Sequence, residues 1–415
     1  MGRGHSEQES QSAAILIPSV GEGTDICFRA SLIACRPGCS RRVRSLHYSR
    51  DEGVLGYRSP IGTGTDRGNT HPLTLPAMPP TNPPPDRAVA IDIGGTKIRA
   101  AVVSRDGSVS HRHVITTNPE TGIEDGAERL AALIRKVLGE AGMPAVAGVG
   151  VATAGPLNPA TGIYNHPPNL MAWHGKTMKP LLERELALPV WIGHDATLAA
   201  FAETQTGPHT GAKNLIYVTI STGVGGGIIA NGEMVTGMTG GAGEVGHIAV
   251  RPGALRCNVG CDGCFEGNAC GPAIARMAAS RLTSSNETFL LDMAGGDPLK
   301  VTSRMVMQAA AAGDRLSVGV IDDVIENIGI GLGSLLNALE PEALVIGGGV
   351  AEGLKAQFGK IKEATLRNSL PRYRDRGGVP VHVTSHGDDA SLKGAAFLAF
   401  SRAASEWRQR PAHTP

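Results

Sequence analysis

The chain has 415 residues, 41% of them hydrophobic, and a formal charge of +1. That length can hold two domains with real cores, and the near-neutral charge offers no basic field for nucleic acid. No uncharged apolar run is long enough to span a bilayer.

Residues 1–85 are rich in Ser, Gly, Arg and Pro and show neither helical nor strand periodicity. They end in Pro79-Pro80-Thr81-Asn82-Pro83-Pro84-Pro85, which favours extended polyproline II and suits a linker. The expectation is a disordered extension or translated sequence upstream of the true start, with Met78 a sensible alternative start. A targeting leader is the third reading, and Glu7, Glu9, Glu22 and Asp25 oppose it.

The organising stretch is residues 88–103, an apolar strand, a Gly94-Gly95 corner and a second apolar strand. Alternation in both arms predicts a β-hairpin. Asp92 stands before the corner, and Thr96 and Lys97 after it. Glycine lets backbone N–H groups approach an anion, Thr96 can donate to a phosphate oxygen, and Asp92 is placed for a hydrated divalent cation. A phosphate grip and a plain hairpin both fit, while a Walker loop and a dinucleotide fingerprint do not.

A third strand is expected over residues 108–114. A helix follows over 122–142, with Leu130, Leu133, Ile134, Val137 and Leu138 at helical spacing and Gly142 as its stop. Residues 146–151 predict a buried strand, 181–186 a short helix and 190–192 another strand. Asp195 then sits where that strand meets a helix over 196–204. In open α/β sheets ligands bind at the carboxyl ends of strands, but an acid there also serves as a helix cap. Asn169 reads equally as a turn residue.

The second half repeats this logic. Strand 215–220 runs into Ser221-Thr222-Gly223-Val224-Gly225-Gly226-Gly227 and a strand leaves it. Asn231-Gly232 is a hairpin signal. A third glycine turn, Gly347-Gly348-Gly349, follows a strand and opens a helix, where exposed backbone could face a nucleotide. Helices are expected over 299–312, over 316–339 with close packing at Gly329, Gly331 and Gly333, and over 390–403; residues 380–384 predict a strand.

Seven cysteines are an odd number, and four fall between Cys257 and Cys270. That clustering suits metal ligation in a reducing compartment better than a disulfide framework. His247, Cys257, Cys261 and Cys264 match a closed structural Zn²⁺ site, with free cysteines as the alternative and Cys270 a reserve ligand.

Together these motifs resemble the ROK family of sugar kinases and repressors. The likeness covers Arg87–Ala404. It rests on Asp92–Lys97, Ser221–Gly227, Gly243–His247, the cysteine cluster ending in Glu266, Gly347–Val350 and Gly387–Ala396. It implies an α/β, two-lobed actin-like (ribonuclease H-like) ATPase fold, with lobes over 86–198 and 199–389 and a helix over 390–404 returning to the first lobe. It also implies ATP-dependent phosphorylation of a hexose. Glucose is the first candidate, and N-acetylmannosamine, mannose and fructose remain open. A sugar-sensing regulator is a further possibility, although no winged helix is legible in the N-terminal segment; a catalytically silent sugar binder is another.

By the same resemblance Asp195 is the general base that takes the proton of the attacking sugar hydroxyl. Asn169, Glu244, His247 and Glu266 grip sugar hydroxyls, and His247 also binds zinc. Gly94, Gly95, Thr96 and Lys97, with Thr222, Gly223, Gly348 and Gly349, hold the phosphates and the adenosine of ATP, with Mg²⁺. A cytoplasmic homodimer is expected. Two departures stand out. His194 and Thr197 occupy positions where the family usually has Asn, and His194 can still donate to a sugar hydroxyl. Val259 occupies a usual Cys position, and Cys261 is expected to substitute for it.

Overall fold

The protein is described here from a computed structural model. Residues 85–282 and 288–408 are described, together with four strands before them, Ile15–Val20, Ile26–Ser31, Ser45–Ser49 and Val54–Gly56. Those four pair antiparallel in chain order, although the segment shows no strand periodicity, and belong to a unit separate from the rest. The remainder of the expected extension, and the chain after Arg408, lie outside the described residues.

The second unit opens with the expected hairpin, β1 (Arg87–Ile93) and β2 (Lys97–Ser104), followed by β3 (Val109–Thr116), α1 (Ile123–Glu140), β4 (Val149–Thr153), α2 (Lys179–Leu186) and β5 (Val190–His194). Their strands form one five-stranded sheet in the order β3-β2-β1-β4-β5. β1 pairs antiparallel with β2 and parallel with β4, and β4 pairs parallel with β5. Strands β1 and β4 are buried on both faces, which explains why they read as continuous apolar runs.

Helix α3 (Asp195–Gln205) leads to β6 (Leu215–Ile220), β7 (Val224–Ala230) and the short β8 (Glu233–Met234). Then come α4 (Phe265–Ala269), α5 (Gly271–Arg281), α6 (Ser303–Ala311), α7 (Arg315–Leu339), β9 (Ala343–Gly347), α8 (Gly349–Gly353), α9 (Phe358–Arg367), β10 (Val381–Val383) and α10 (Ala390–Arg408). The second sheet has the order β8-β7-β6-β9-β10. Its pairing repeats the first: a hairpin, then two parallel strands on the far side of the hairpin's leading strand.

Each lobe has its own apolar core. In the first, Leu130, Ile134 and Val137 of α1 pack against Val89, Ile91 and Val149. In the second, Val320, Val324 and Ile328 of α7 pack against Ile216, Val218 and Leu344. Helix α7 is as close-packed as its glycines suggest. A Cβ on Gly329, Gly331 or Gly333 would fall within 3.0 Å of Ala364, the Phe265 ring or Asn368 respectively. The helix expected over 299–312 is broken instead: residues 298–300 form a 3₁₀ turn and Thr302 caps α6 by accepting from Met305 N–H.

Helices α3 and α10 lie between the sheets. Leu198 and Ala202 of α3 share a core with Leu392, Ala395 and Phe400 of α10 and with Ala88, Ala90 and Ala152 of the first sheet, so the last helix does return to the first lobe. Ala199 and Ala200, on another side of α3, join Leu215, Tyr217 and Val345 of the second sheet. The result is the actin-like architecture: two topologically matched lobes sharing a pair of helices.

Candidate active site

The first glycine corner is closed by backbone geometry. Gly94 N–H donates to Lys97 O at 2.9 Å, and the Thr117 hydroxyl donates to Gly94 O at 2.7 Å. Asn169 lies directly over this corner: a Cβ on Gly95 would sit 2.8 Å from the Asn169 Cβ. Asp92, at the end of β1, is buried and bound by Arg99, whose Nε donates to Oδ2 at 2.9 Å and whose Nη2 makes an ion pair with the same oxygen. Burial pushes the Asp92 carboxyl above its usual range; Arg99 opposes this, and the charge of Asp195 adds to it. The two carboxylates are therefore electrostatic neighbours despite standing on different elements.

Asp195 opens α3 straight from the end of β5. Its Oδ1 accepts from Ala196 N–H at 2.6 Å and lies 3.3 Å from His194 Nε2. Oδ2 makes no hydrogen bond or ion pair with another side chain among the described residues. The start of α3 is also wedged against the second hairpin. A Cβ on Gly227 of β7 would lie 2.1 Å from Ala196 O and 2.6 Å from Thr197 Cα, whereas one on Gly225 would lie 3.7 Å from Ala196 Cβ. Glycine at 227 is thus what lets the strand lie against the backbone of the helix that begins with Asp195.

The second corner, Ser221-Thr222-Gly223, is closed by Ser221 N–H donating to Gly223 O at 2.9 Å. Glu266 of α4 reaches it from 42 residues away, and its Oε2 accepts from Val224 N–H at 3.0 Å. The loop before α4 brings His247, Cys257, Cys261 and Cys264 together, with one ligand atom from each within 4.8 Å of the others. His247 Nδ1 lies 3.6 Å from Cys261 Sγ and 3.9 Å from Cys257 Sγ. Val259 is exposed and outside this group, whereas Cys261 lies within it. Burial pushes the Cys264 thiol up to about 11. Burial would raise Cys257 too, but donors including the N–H groups of Cys261 and Val259 outweigh it and hold that thiol below its usual range. Cys270 is buried at the head of α5 and stands apart from the cluster. Glu244 flanks it, its Oε2 3.8 Å from His247 Nε2.

The third turn packs on the second hairpin. Gly348 adopts φ +94°, and a Cβ there would meet Ile220 O at 2.5 Å. Beside it lies a cavity of about 740 Å³ bounded by Ser221, Thr222, Gly349, Ala275, Arg304 and Met307. That volume suits a nucleoside. The glycine turns are legible in the sequence; the walls supplied by α5 and α6 are not. Those walls carry no motif; small residues and a methionine on helices mark a pocket only once the helices are packed together.

The residues singled out in the sequence therefore converge. Asp92, Gly94, Gly95 and Asn169 meet at the first corner, with Thr96 and Lys97 continuing the turn; Thr222, Gly223, Gly348, Gly349 and Glu266 meet at the second. Asp195 is an electrostatic neighbour of Asp92, and the residue after it, Ala196, lies against the strand that leaves the second corner.

Comparison with known proteins agrees with this geometry. Residues 88–402 match the model of the ROK family. The chain is 36% identical over 314 residues to a glucokinase of Halalkalibacterium halodurans, covering 75% of this chain and 94% of the relative. It is 31% identical over 313 residues to an N-acetylmannosamine kinase of Citrobacter koseri, covering 75% and 98%. Among solved structures, a ROK family glucokinase from Streptomyces griseus in complex with glucose and AMPPNP superposes with a TM-score of 0.65 at 30% identity, covering 76% of this chain and 99% of that one. The chain, whose second unit is two matched α/β lobes sharing a helix pair, belongs to the ROK family.

Proposed function

We propose that the protein is an ATP-dependent hexose kinase with glucose as its first candidate substrate. The observation that carries this reading is the position of Asp195 at the head of α3, electrostatically coupled to Asp92 and wedged against the strand that leaves the second glycine corner. Phosphoryl transfer asks mostly for positioning and charge stabilisation, with a base within reach of the attacking hydroxyl. Oδ2 of Asp195 supplies that base. The backbone N–H groups of both corners, with Thr96 and Thr222, supply donors to the phosphates, and the cavity beside Gly349 receives the adenosine. Sugar hydroxyls are held by Asn169, Glu244, His247, Glu266 and His194.

Two metals fit their surroundings. Asp92 pairs with Arg99 and also feels the negative charge of Asp195, a setting that favours a divalent cation such as Mg²⁺ bound through water. His247, Cys257, Cys261 and Cys264 have the donor set and clustering of a structural Zn²⁺ site, which would brace the loop carrying Glu266 and His247.

The N-acetylmannosamine kinase relative keeps that sugar open as a second substrate. None of the helices among the described residues is long and apolar enough to cross a membrane. The free thiols of the cluster suit a reducing, cytoplasmic setting, and a homodimer is the expected assembly, checked by mass photometry. The deciding experiment is purified protein with ATP, Mg²⁺ and a hexose panel beside Asp195→Asn. Sugar-dependent ADP formation that the substitution lowers by at least ~10²-fold supports the reading. Turnover that survives the substitution refutes the base assignment.

A further inference from the structure

Asp92 and Arg99 are seven residues apart, yet the first hairpin sets them directly opposite each other on β1 and β2. Side chains of such a pair emerge on the same face, so the hairpin itself delivers the guanidinium to the carboxylate. Two of its nitrogens, Nε and Nη2, donate to Asp92 Oδ2. The third, Nη1, donates to the backbone carbonyl of Asp388 at 2.6 Å, 289 residues further along the chain. All three nitrogens of Arg99 are therefore engaged, and they are divided between two distant segments.

Asp388 lies in the turn Gly387–Asp389, between β10 of the second sheet and α10. At the head of α10, Ala390 shares a core with Leu215, Tyr217 and Val345 of the second sheet, whereas Leu392 and Ala395 share one with Ala88 and Ala152 of the first. The chain thus crosses between the lobes at this turn, and a relative rotation of the lobes must be absorbed here and at α3. Arg112 of β3 pairs with Asp389 on the same turn, but without involving Asp92. A guanidinium is planar and rigid, so a displacement of Asp388 O is carried to Asp92. An ammonium on a flexible stem cannot hold both partners in one plane.

We propose that Arg99 is a positioning residue that joins the interlobe turn to Asp92, so that closure of the lobes on sugar is coupled to the seating of the nucleotide at the first glycine corner. The inference rests on the kinase reading above and adds to it a task for a residue assigned to neither sugar nor nucleotide. Coupling requires the two ligands to favour the same arrangement of the lobes. It is also reciprocal: the factor by which sugar tightens nucleotide binding is the factor by which nucleotide tightens sugar binding. Arg99 holds Asp388 O and Asp92 in one fixed relation. With that link cut, each ligand still binds, without changing the affinity of the other.

The test uses the full chain and isothermal titration calorimetry, with Mg²⁺·AMPPNP and a hexose, glucose first, as probes. In the wild type, saturating sugar is expected to tighten Mg²⁺·AMPPNP binding by at least about fivefold. In Arg99→Lys, which keeps the positive charge beside Asp92, that factor should fall below about twofold, with the sugar-free nucleotide affinity within about threefold of wild type. Arg112→Gln, which releases the same turn without touching Asp92, should keep the wild-type factor. A merely structural role for Arg99 would lower both affinities or the melting temperature and leave the factor unchanged. The inference is overturned by an Arg99→Lys factor equal to wild type, by an Arg112→Gln factor reduced as far as that of Arg99→Lys, or by a wild-type factor below about twofold. Hydrogen exchange on the wild type decides it without any variant: Mg²⁺·AMPPNP should slow amide exchange in residues 385–390, and unchanged exchange there overturns it. Failure to bind Mg²⁺·AMPPNP or any hexose would instead refute the kinase reading, and this inference with it; binding of both without interaction between them refutes this inference alone.

Discussion

The sharpest prediction concerns two glycines on one strand. Gly225 and Gly227 are two residues apart on β7, so their missing side chains would point to the same face, towards α3. A Cβ on Gly227 would lie 2.1 Å from Ala196 O and 2.6 Å from Thr197 Cα. Both are backbone atoms that cannot swing aside. Real Cβ contacts are essentially never under 3.0 Å, so strand and helix must part by about 1 Å at the residue after Asp195. Overpacking of this kind costs about 1–3 kcal/mol of stability, and a displacement of ~1 Å at a catalytic group can cost about 10²-fold in rate. Gly225→Ala is the matched control. Its Cβ would meet Thr219 Cγ2 at 3.4 Å and Ala196 Cβ at 3.7 Å, which are ordinary contacts. Thermal unfolding and coupled ADP assays on both variants should show Gly227→Ala less stable and far slower, and Gly225→Ala near wild type. A Gly227→Ala enzyme as fast as Gly225→Ala would refute the claim that the second hairpin sets the position of Asp195.

Three further outcomes are expected. Glu203 of α3 is fully buried; Thr384 donates to its Oε1 at 2.5 Å, while Oε2 accepts no hydrogen bond and lies 3.8 Å from His386 Nε2. Burial raises this carboxyl above its ordinary value, against the Thr384 hydrogen bond and the charge of Lys393. The folded protein then holds the proton more tightly than the unfolded chain, so this group's contribution to stability declines as pH rises above the unfolded value. Glu203→Gln, which keeps the acceptor for Thr384, should gain in Tm relative to wild type between pH 5 and pH 8; a difference independent of pH would contradict this. Metal analysis of gently purified protein should find about one zinc per chain, with affinity lost by more than about tenfold in Cys261→Ala but not in Cys270→Ala. Equal zinc retention in both would remove Cys261 from the ligand set. Finally, sugar should stimulate ATP hydrolysis or transfer by closing the lobes and excluding water; identical ATPase rates with and without sugar would count against closure.

Much of the local structure was legible because it depends on short-range contacts. The Gly94-Gly95 and Thr222-Gly223 corners, the Asn231-Gly232 turn and the amphipathic α1 each follow from neighbours a few residues apart. The grouping of thiols and imidazole was legible for the same reason: Cys257, Cys261 and Cys264 lie within one loop, and only His247 reaches them from further off. Helix α6 starts later than its periodicity indicates because Pro298 and the Thr302 cap outweigh that periodicity. Nor did periodicity reveal the four paired strands before Arg87.

By itself the amino-acid order determined the glycine corners, the buried strands, the helical faces and the thiol spacing, since each is decided by backbone freedom or side-chain period within one segment. Only the folded molecule decided that the two sheets share one topology, that Glu266 lands on Val224, and that Asp92 feels Asp195. It alone decided that α5 and α6 wall a nucleoside-sized cavity. Those facts join residues from 42 to more than 100 positions apart, and what joins them is the packing of α3 and α10 between two sheets. Such packing depends on the shapes of whole faces brought together, which no local window of the chain contains.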